Sequence, residues 1–284
     1  MLVVKVGTKT LLNGGSGLDA HVAACVASQV STLVKQGTQV VLVTSGAIVA
    51  GKSAKEKTRW FQRPDEEELS ESGYAGIGAL PLLSYWQEAF LSHNVLTAQT
   101  LVTFASLFSA IEGEKFIDSI LEYMRHGIIP IVNENDVLSD AEIRAKNKGI
   151  SDNDWLASEV ARKIKASAIL FLSDEDGLYE RNPKEGKPAR RYVEVDRCHT
   201  PEHLLVGATD IMGRGGVESK VIAANQCAGE NMTVAIAKLK LDEDTILKFM
   251  RRESVGTKVC SATYFEGEPR PKENPLWTRL YGGK

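Results

Sequence analysis

The sequence predicts an α/β protein, a three-layer αβα sandwich around a mainly parallel central sheet. Short runs rich in Val, Ile and Leu recur along the chain with almost no polar alternation, as strands buried on both faces of a parallel sheet do. Between them lie longer segments with apolar residues at helical spacing, so the order β-α-β repeats. Composition sets the outer bound. Of 284 residues, 43% are hydrophobic and 25% charged, which is ordinary for a globular chain and excludes disorder as the main state.

The first strand is Leu2–Val6, and it contains Lys5. A lysine inside a buried strand is costly without a counter-charge, which a triphosphate would supply; the alternative is an edge lysine reaching water. Gly7 follows, where a missing side chain lets backbone amides approach an anion. Residues 19–35 place Val22, Cys25, Val26, Val30, Leu33 and Val34 at helical spacing, with Gly37 as a stop. Val40–Thr44 is the second strand. Thr44-Ser45-Gly46 sits at its carboxyl end, where hydroxyl and amides can hold a carboxylate.

Residues 46–53, GAIVAGKS, fit the phosphate-loop pattern G-x-x-x-x-G-K-[ST]. The context argues against it. Ala47-Ile48-Val49-Ala50 would sooner start a helix than wrap a phosphate, and the residues after Ser53 lack the apolar face of a buried helix. Residues 52–72 divide into a basic and an acidic half and read as a solvated loop or frayed helix. A lid over a substrate is the sharper alternative.

Residues 82–91, 116–125 and 155–165 read as helices, and residues 128–132 as a strand. Asn133-Glu134-Asn135-Asp136 follows that strand directly; an Asx-turn explains one or two of these residues but hardly the set. Ser151-Asp152-Asn153-Asp154 opens the next helix. One of its side chains is an N-cap, and an aspartate there could hold two lysine ammonium groups in position. Ala168–Ser173 is a strand, followed by Asp174 and the turn Asp176-Gly177-Leu178-Tyr179, a setting that suits a base or ribose and equally a plain turn.

A glycine cluster at 213–219 (Gly213, Arg214, Gly215, Gly216, Val217, Glu218, Ser219) precedes a helix at 220–228 that begins with Lys220. It resembles an anion-binding loop at a helix N-terminus, with a flexible surface turn as the even alternative. Residues 233–236 form a further strand. From residue 241 the chain reads as a tail with one or two helical turns and then Pro269, Pro271 and Pro275. About 40 residues are too few for a second core, so the tail is expected to pack on a domain spanning 1–240.

Lys plus Arg is 34 against 37 Asp plus Glu, a net −3, which leaves no electrostatic footprint for nucleic acid or an anionic membrane. No apolar run reaches the ~18 residues of a membrane span. The chain opens directly on a strand, and its four cysteines are widely spaced with no CxxC, so neither a leader, a disulfide framework nor a protein-held metal site is expected. The cytoplasm is the expected address.

In order, residues 3–8 (VVKVGT), 40–51 (VVLVTSGAIVAG), 131–136 (IVNEND), 152–157 (DNDWLA), 172–179 (LSDEDGLY) and 215–220 (GGVESK) resemble the amino acid kinase family, and within it the glutamate 5-kinase branch. The similarity runs collinearly over most of the chain, and Ser254-Val255-Gly256-Thr257 extends it. It implies the amino acid kinase fold and ATP-dependent phosphorylation of the side-chain carboxylate of L-glutamate, the first step of proline synthesis. By the same resemblance Lys5 and Lys220 neutralise the phosphates and the transferred group, and Asp154 orients them. Ser45, Asp136 and Asn153 bind glutamate. Lys5, Gly7, Ser173, Asp174, Arg214, Gly215, Gly216, Val217, Glu218, Ser219 and Lys220 bind ATP with Mg2+, the metal being held mainly by the nucleotide phosphates.

The resemblance also implies a short form without the RNA-binding-type domain of longer members, and a homo-oligomer, dimer or tetramer. Three features depart from the pattern. Arg214 stands where a small hydroxyl residue is usual, Ala79 where a glutamine follows the second glycine, and residues 145–149 look inserted. Two alternatives stay open: a kinase for another acceptor (N-acetylglutamate, aspartate or a nucleoside monophosphate), and a non-catalytic nucleotide-sensing module.

Overall fold

The computed structural model describes residues 1–58, 67–138, 153–183, 188–204 and 217–261. Eight strands form one sheet in the order β3-β4-β2-β1-β5-β7-β8-β6. They are β1 (Leu2–Val6), β2 (Val40–Thr44), β3 (Thr97–Val102), β4 (Ile129–Glu134), β5 (Ala168–Ser173), β6 (Glu194–Asp196), β7 (Thr233–Lys238) and β8 (Thr257–Cys260). All neighbouring pairs are parallel except β7–β8. β1 lies centrally between β2 and β5, where the strand order reverses direction, so the carboxyl end of β1 opens a crevice.

The helices are α1 (Thr8–Leu12), α2 (Ala20–Lys35), α3 (Ala47–Lys57), α4 (Glu71–Leu91), α5 (Phe104–Phe108), α6 (Ala110–Arg125), α7 (Asn153–Lys163), α8 (Val217–Gly229) and α9 (Thr245–Met250). They cover the sheet from both sides. Leu2, Val4 and Val6 of β1 join Leu42, Leu170 and Trp86 in one core, beneath α2 and α4. Val3 joins Val41, Val43, Phe171, Val160 and Val221 in the other, beneath α6, α7 and α8. Alternation along a strand therefore sends Lys5, two residues after Val3, to the α7–α8 side. That one parity decides where its charge goes.

The helix α3 begins at Gly46, as the apolar run 47–50 requires, and the phosphate-loop pattern proves to be packing chemistry. Gly46 adopts φ +104, and a Cβ there would lie 3.0 Å from Leu11 Cδ1. Gly51 packs against α4 so tightly that a Cβ would sit 1.9 Å from the Tyr74 carbonyl oxygen, and one on Gly78 would sit 1.8 Å from that of Ala47. Lys52 is exposed, near the Tyr74 ring. Of the stretch 52–72, read as a solvated loop or frayed helix, residues 52–57 end α3, residues 67–70 are irregular and residues 71–72 open α4, while residues 59–66 lie outside the described part. α4 starts eleven residues before the expected 82, capped by Ser70, and runs through Pro81.

The expected tail contains α9 and the additional strand β8. Gln29 of α2, almost fully buried, accepts from the amides of Ile246 (2.8 Å) and Leu247 (3.4 Å) and donates to the Glu243 carbonyl (3.3 Å). That glutamine serves as the cap α9 lacks, since the Asp244 side chain makes no cap bond.

Candidate active site at the carboxyl end of the central strand

One strand and two helices deliver charge to one point. Lys5 from β1, only 2% exposed, places its Nζ 2.5 Å from Asp154 Oδ1. Lys220 from the first turn of α8, 14% exposed, places its Nζ 3.1 Å from Asp154 Oδ2. Asp154 itself is fully buried and also accepts from Ser219 Oγ at 3.2 Å. Burial pushes its carboxyl upward, but the ammonium groups of Lys220 and Lys5 outweigh that and hold it down at about 2. Asp154 is thus an anion at every physiological pH. Two cations against one anion leave the cluster with a formal positive charge beside the crevice.

Lys5 thus finds its counter-charge inside the chain, and the triphosphate invoked from its burial is not needed to explain it. Its Nζ stands 3.4 Å from where a Gly7 side chain would begin, so the glycine keeps the space over the ammonium open. Thr10 of α1 donates to the Leu172 carbonyl (3.2 Å), which ties the turn after β1 to the end of β5.

Beside the charged cluster is an amide and hydroxyl cluster. Asn153 Nδ2, in the first turn of α7, donates to Ser45 Oγ after β2 (3.0 Å) and to Asn133 Oδ1 at the end of β4 (3.2 Å). Its Oδ1 is buried with no hydrogen-bond partner among the described residues. Thr44 beneath is fully satisfied, accepting from Trp86 Nε1 (3.0 Å) and donating to the Ser45 carbonyl. Asp136 lies in the turn after β4 and is half-buried.

On the opposite side of the β1 turn, a cavity of about 480 Å³ opens between α1 and the ends of β5 and β7, lined by Lys9, Thr10, Asn13, Ser173, Asp174 and Lys238 among others. Its size suits a small-molecule ligand. Among the described residues no three His, Cys, Asp or Glu side chains converge as a metal centre.

The structure brings Lys5, Asp154, Lys220 and Ser219 together, and Ser45 with Asn153, while Ser173 and Asp174 line the cavity. Val217, Glu218 and Ser219 belong to the first turn of α8 rather than to a loop before it, because the helix starts three residues ahead of the expected position. Arg214, Gly215 and Gly216 lie outside the described residues. Asn133, Thr10, Lys9 and Lys238 were missed as site residues. Asn133 was the most accessible of these, being the first of four polar residues after a strand; the cavity lysines carry no sequence signal.

A profile of the amino acid kinase family matches residues 1–238. The chain is 35% identical over 259 residues to the glutamate 5-kinase of Methylobacillus flagellatus, covering 90% of this chain and 66% of that one. It is 34% identical over 268 residues to that of Paraburkholderia phymatum, covering 92% and 68%. It therefore spans about two thirds of the length of these relatives. Among solved structures, UMP kinase from Bacillus anthracis superposes with a TM-score of 0.59 at 16% identity, covering 92% of this chain and 96% of that one. A protein from Aeropyrum pernix K1 gives 0.61 at 13%, covering 92% and 99%. At such identities the likeness speaks for the fold alone, and the profile and sequence matches go further: the chain belongs to the amino acid kinase family.

Proposed function

We propose that this chain transfers the γ-phosphoryl group of ATP to the side-chain carboxylate of L-glutamate, giving L-glutamyl 5-phosphate and ADP, the first step of proline biosynthesis. The observation that carries the reading is the buried Lys5–Asp154–Lys220 cluster at the end of β1. A carboxylate oxygen attacks the γ-phosphorus, and the bond to the β–γ bridging oxygen breaks toward ADP. The nucleophile is already ionised at neutral pH, so no general base is required. What the reaction needs is to bring two anions together and to stabilise charge on the equatorial oxygens, and preorganised ammonium groups in a water-poor site do that.

Lys5 and Lys220 take that role, and Asp154 fixes both without neutralising both. The cavity beside α1 accommodates the nucleotide, with Gly7, Ser173, Asp174, Val217, Glu218 and Ser219 and the 214–216 segment as its contacts. Mg2+ enters with the nucleotide, its ligands being mainly phosphate oxygens, which suits a hard cation that keeps few protein ligands. Ser45, Asn153 and Asp136 hold the amino acid. The unpartnered Asn153 Oδ1 is an acceptor that an α-ammonium satisfies, and Asp136 supplies the anion facing it. An N-acylated amine offers neither the charge nor the same donors.

Residues 1–240 are read as the kinase domain, and the described part of the following segment joins it, α9 through the Gln29 bonds and β8 as a strand between β7 and β6 of the same sheet. No helix among the described residues is long and apolar enough to cross a membrane, and the reading places a homodimer or homotetramer in the cytoplasm. The test is ATP-dependent acyl phosphate formation, trapped with hydroxylamine, across a panel of acceptors. L-glutamate should give the hydroxamate. Equal turnover of N-acetylglutamate would contradict the reading.

A further inference from the structure

Trp155 follows Asp154 in the first turn of α7 and faces away from the charged cluster. Its ring stacks on Phe104 (centroids 4.9 Å, 21°) and on Phe108 (5.6 Å, 28°), and those two rings are themselves 4.9 Å apart. Two turns further along α7, Lys163 Nζ stands 4.8 Å over the Phe108 ring. Both phenylalanines belong to α5, which follows closely on β3. Thr103 and Ser106 form a reciprocal capping box at its start, and the Val102 carbonyl just before it accepts from the Asn135 amide at 2.9 Å. The outer face of α7 therefore rests on a short helix that leaves the sheet directly after the end of β3.

Other contacts hold α7 from the side. Ser158 Oγ donates to the Trp155 carbonyl (2.7 Å) and lies 3.0 Å from Gln226 Oε1 of α8, while Arg162 Nε meets Glu230 at 2.5 Å. These bonds join the middle and the end of α7 to α8 and the turn after it. The first turn is tied inward by the Asp154 ion pairs to Lys5 and Lys220 and by the Asn153 bonds to Ser45 and Asn133, and the aromatic cluster packs against the same turn from outside. The first turn is where Asn153 and Asp154 reach inward.

We propose that Trp155, through its stacking on Phe104 and Phe108, is a positioning residue that sets the depth of the first turn of α7 and so the placement of Asn153 and Asp154 against substrate and lysines. This rests on the glutamate kinase reading for its kinetic consequence, though not for its structural one. The geometry of a phosphoryl transfer is sensitive, a displacement of about 1 Å costing up to about 10²-fold.

The test compares Trp155→Ala, Trp155→Phe and Phe108→Ala by steady-state kinetics and by hydrogen exchange of α7 amides. Trp155→Ala should raise the KM for L-glutamate and lower kcat, each by about tenfold, with the KM for ATP changed far less. Trp155→Phe keeps an aromatic face and should stay within about twofold of the native values; Phe108→Ala should fall between the two. Exchange should quicken at the first turn of α7 in Trp155→Ala and not at its last turn. Native kinetic constants in Trp155→Ala alongside a lowered Tm would overturn the proposal, as would unchanged first-turn exchange. Should Trp155→Ala fail to fold, Phe108→Ala is read by the same two measurements, and native kinetics or unchanged exchange there would overturn the proposal equally. Absence of glutamate turnover in the native chain would refute the kinase reading instead, and the exchange comparison would still decide the positioning role.

Discussion

Lys5 is nearly inaccessible to water, and Asp154 is the counter-charge it meets there. A buried ion pair is a weak source of net stability, because desolvation offsets much of the attraction; breaking one by removing a single partner is expensive. The carboxyl, held at about 2 instead of 3.8, gives this a pH signature. Between about pH 4 and pH 2 an unfolded aspartate takes up a proton that folded Asp154 refuses. Its stabilising contribution, about 2 kcal/mol, is therefore complete above pH 4 and is lost as the pH falls through 2. Asp154→Asn should be less stable than the native chain at pH 7, and the gap in urea midpoint should narrow from pH 4 downward. A constant gap across that range would mean the carboxyl is not held low. At the neighbouring pocket, Asp136→Asn should raise the KM for L-glutamate at least about tenfold with little change for ATP, read from initial rates.

Elements at the middle of the sheet were legible in the sequence, and those at its edges were not. β1, β2 and β5 fall where their unbroken apolar runs place them, since both faces are covered. β3 reads Thr-Ala-Gln-Thr-Leu-Val and pairs only with β4, while β8 and the three-residue β6 are half exposed; none carries a buried strand's signature. α4 was hidden by Gly73, Gly76, Gly78 and Pro81, which break helices in isolation. Here Gly78 and Gly51 are what lets α3 and α4 meet backbone to backbone, so tertiary contact overrides propensity. The site shows the same split. Polar residues after strand ends single out Ser45 and Asp136, and a polar helix start singles out Asp154, whereas the partnership of Asp154 with both lysines depends on strand parity and on α8, which the spacing alone does not fix. Gly51→Ala should lower stability by about 1–3 kcal/mol or more, because its Cβ meets carbonyl backbone. Gly76→Ala, whose Cβ meets the Val137 Cγ2 at 3.2 Å, gains helix propensity and should leave stability level or raise it by up to about 1 kcal/mol. Thermal denaturation of the two variants separates a crossing-point glycine from an incidental one.

Across the whole molecule, one sheet places a nucleotide-sized cavity, a cationic cluster and an amide pocket along the carboxyl ends of β7, β5, β1, β2 and β4 in turn. On the proposed reading, donor and acceptor approach from opposite sides of β1, with Lys5 at the meeting point. The remaining elements hold that line straight, including α9, which Gln29 ties back to α2. Gln29→Leu leaves two amides of α9 and the Glu243 carbonyl short of their partner and should cost about 1–3 kcal/mol, with exchange quickening at residues 245–250 before any other helix. Uniform exchange along the chain would show that α9 is held by other means.

The central claim concerns which lysines face the transferred phosphoryl group, and the apparent phosphate loop makes it easy to put to the test. kcat for hydroxylamine-trapped acyl phosphate should fall by about 10³-fold or more in Lys5→Ala and in Lys220→Ala, yet stay within about twofold of native in Lys52→Ala. An indispensable Lys52 beside a dispensable Lys5 or Lys220 would contradict the account.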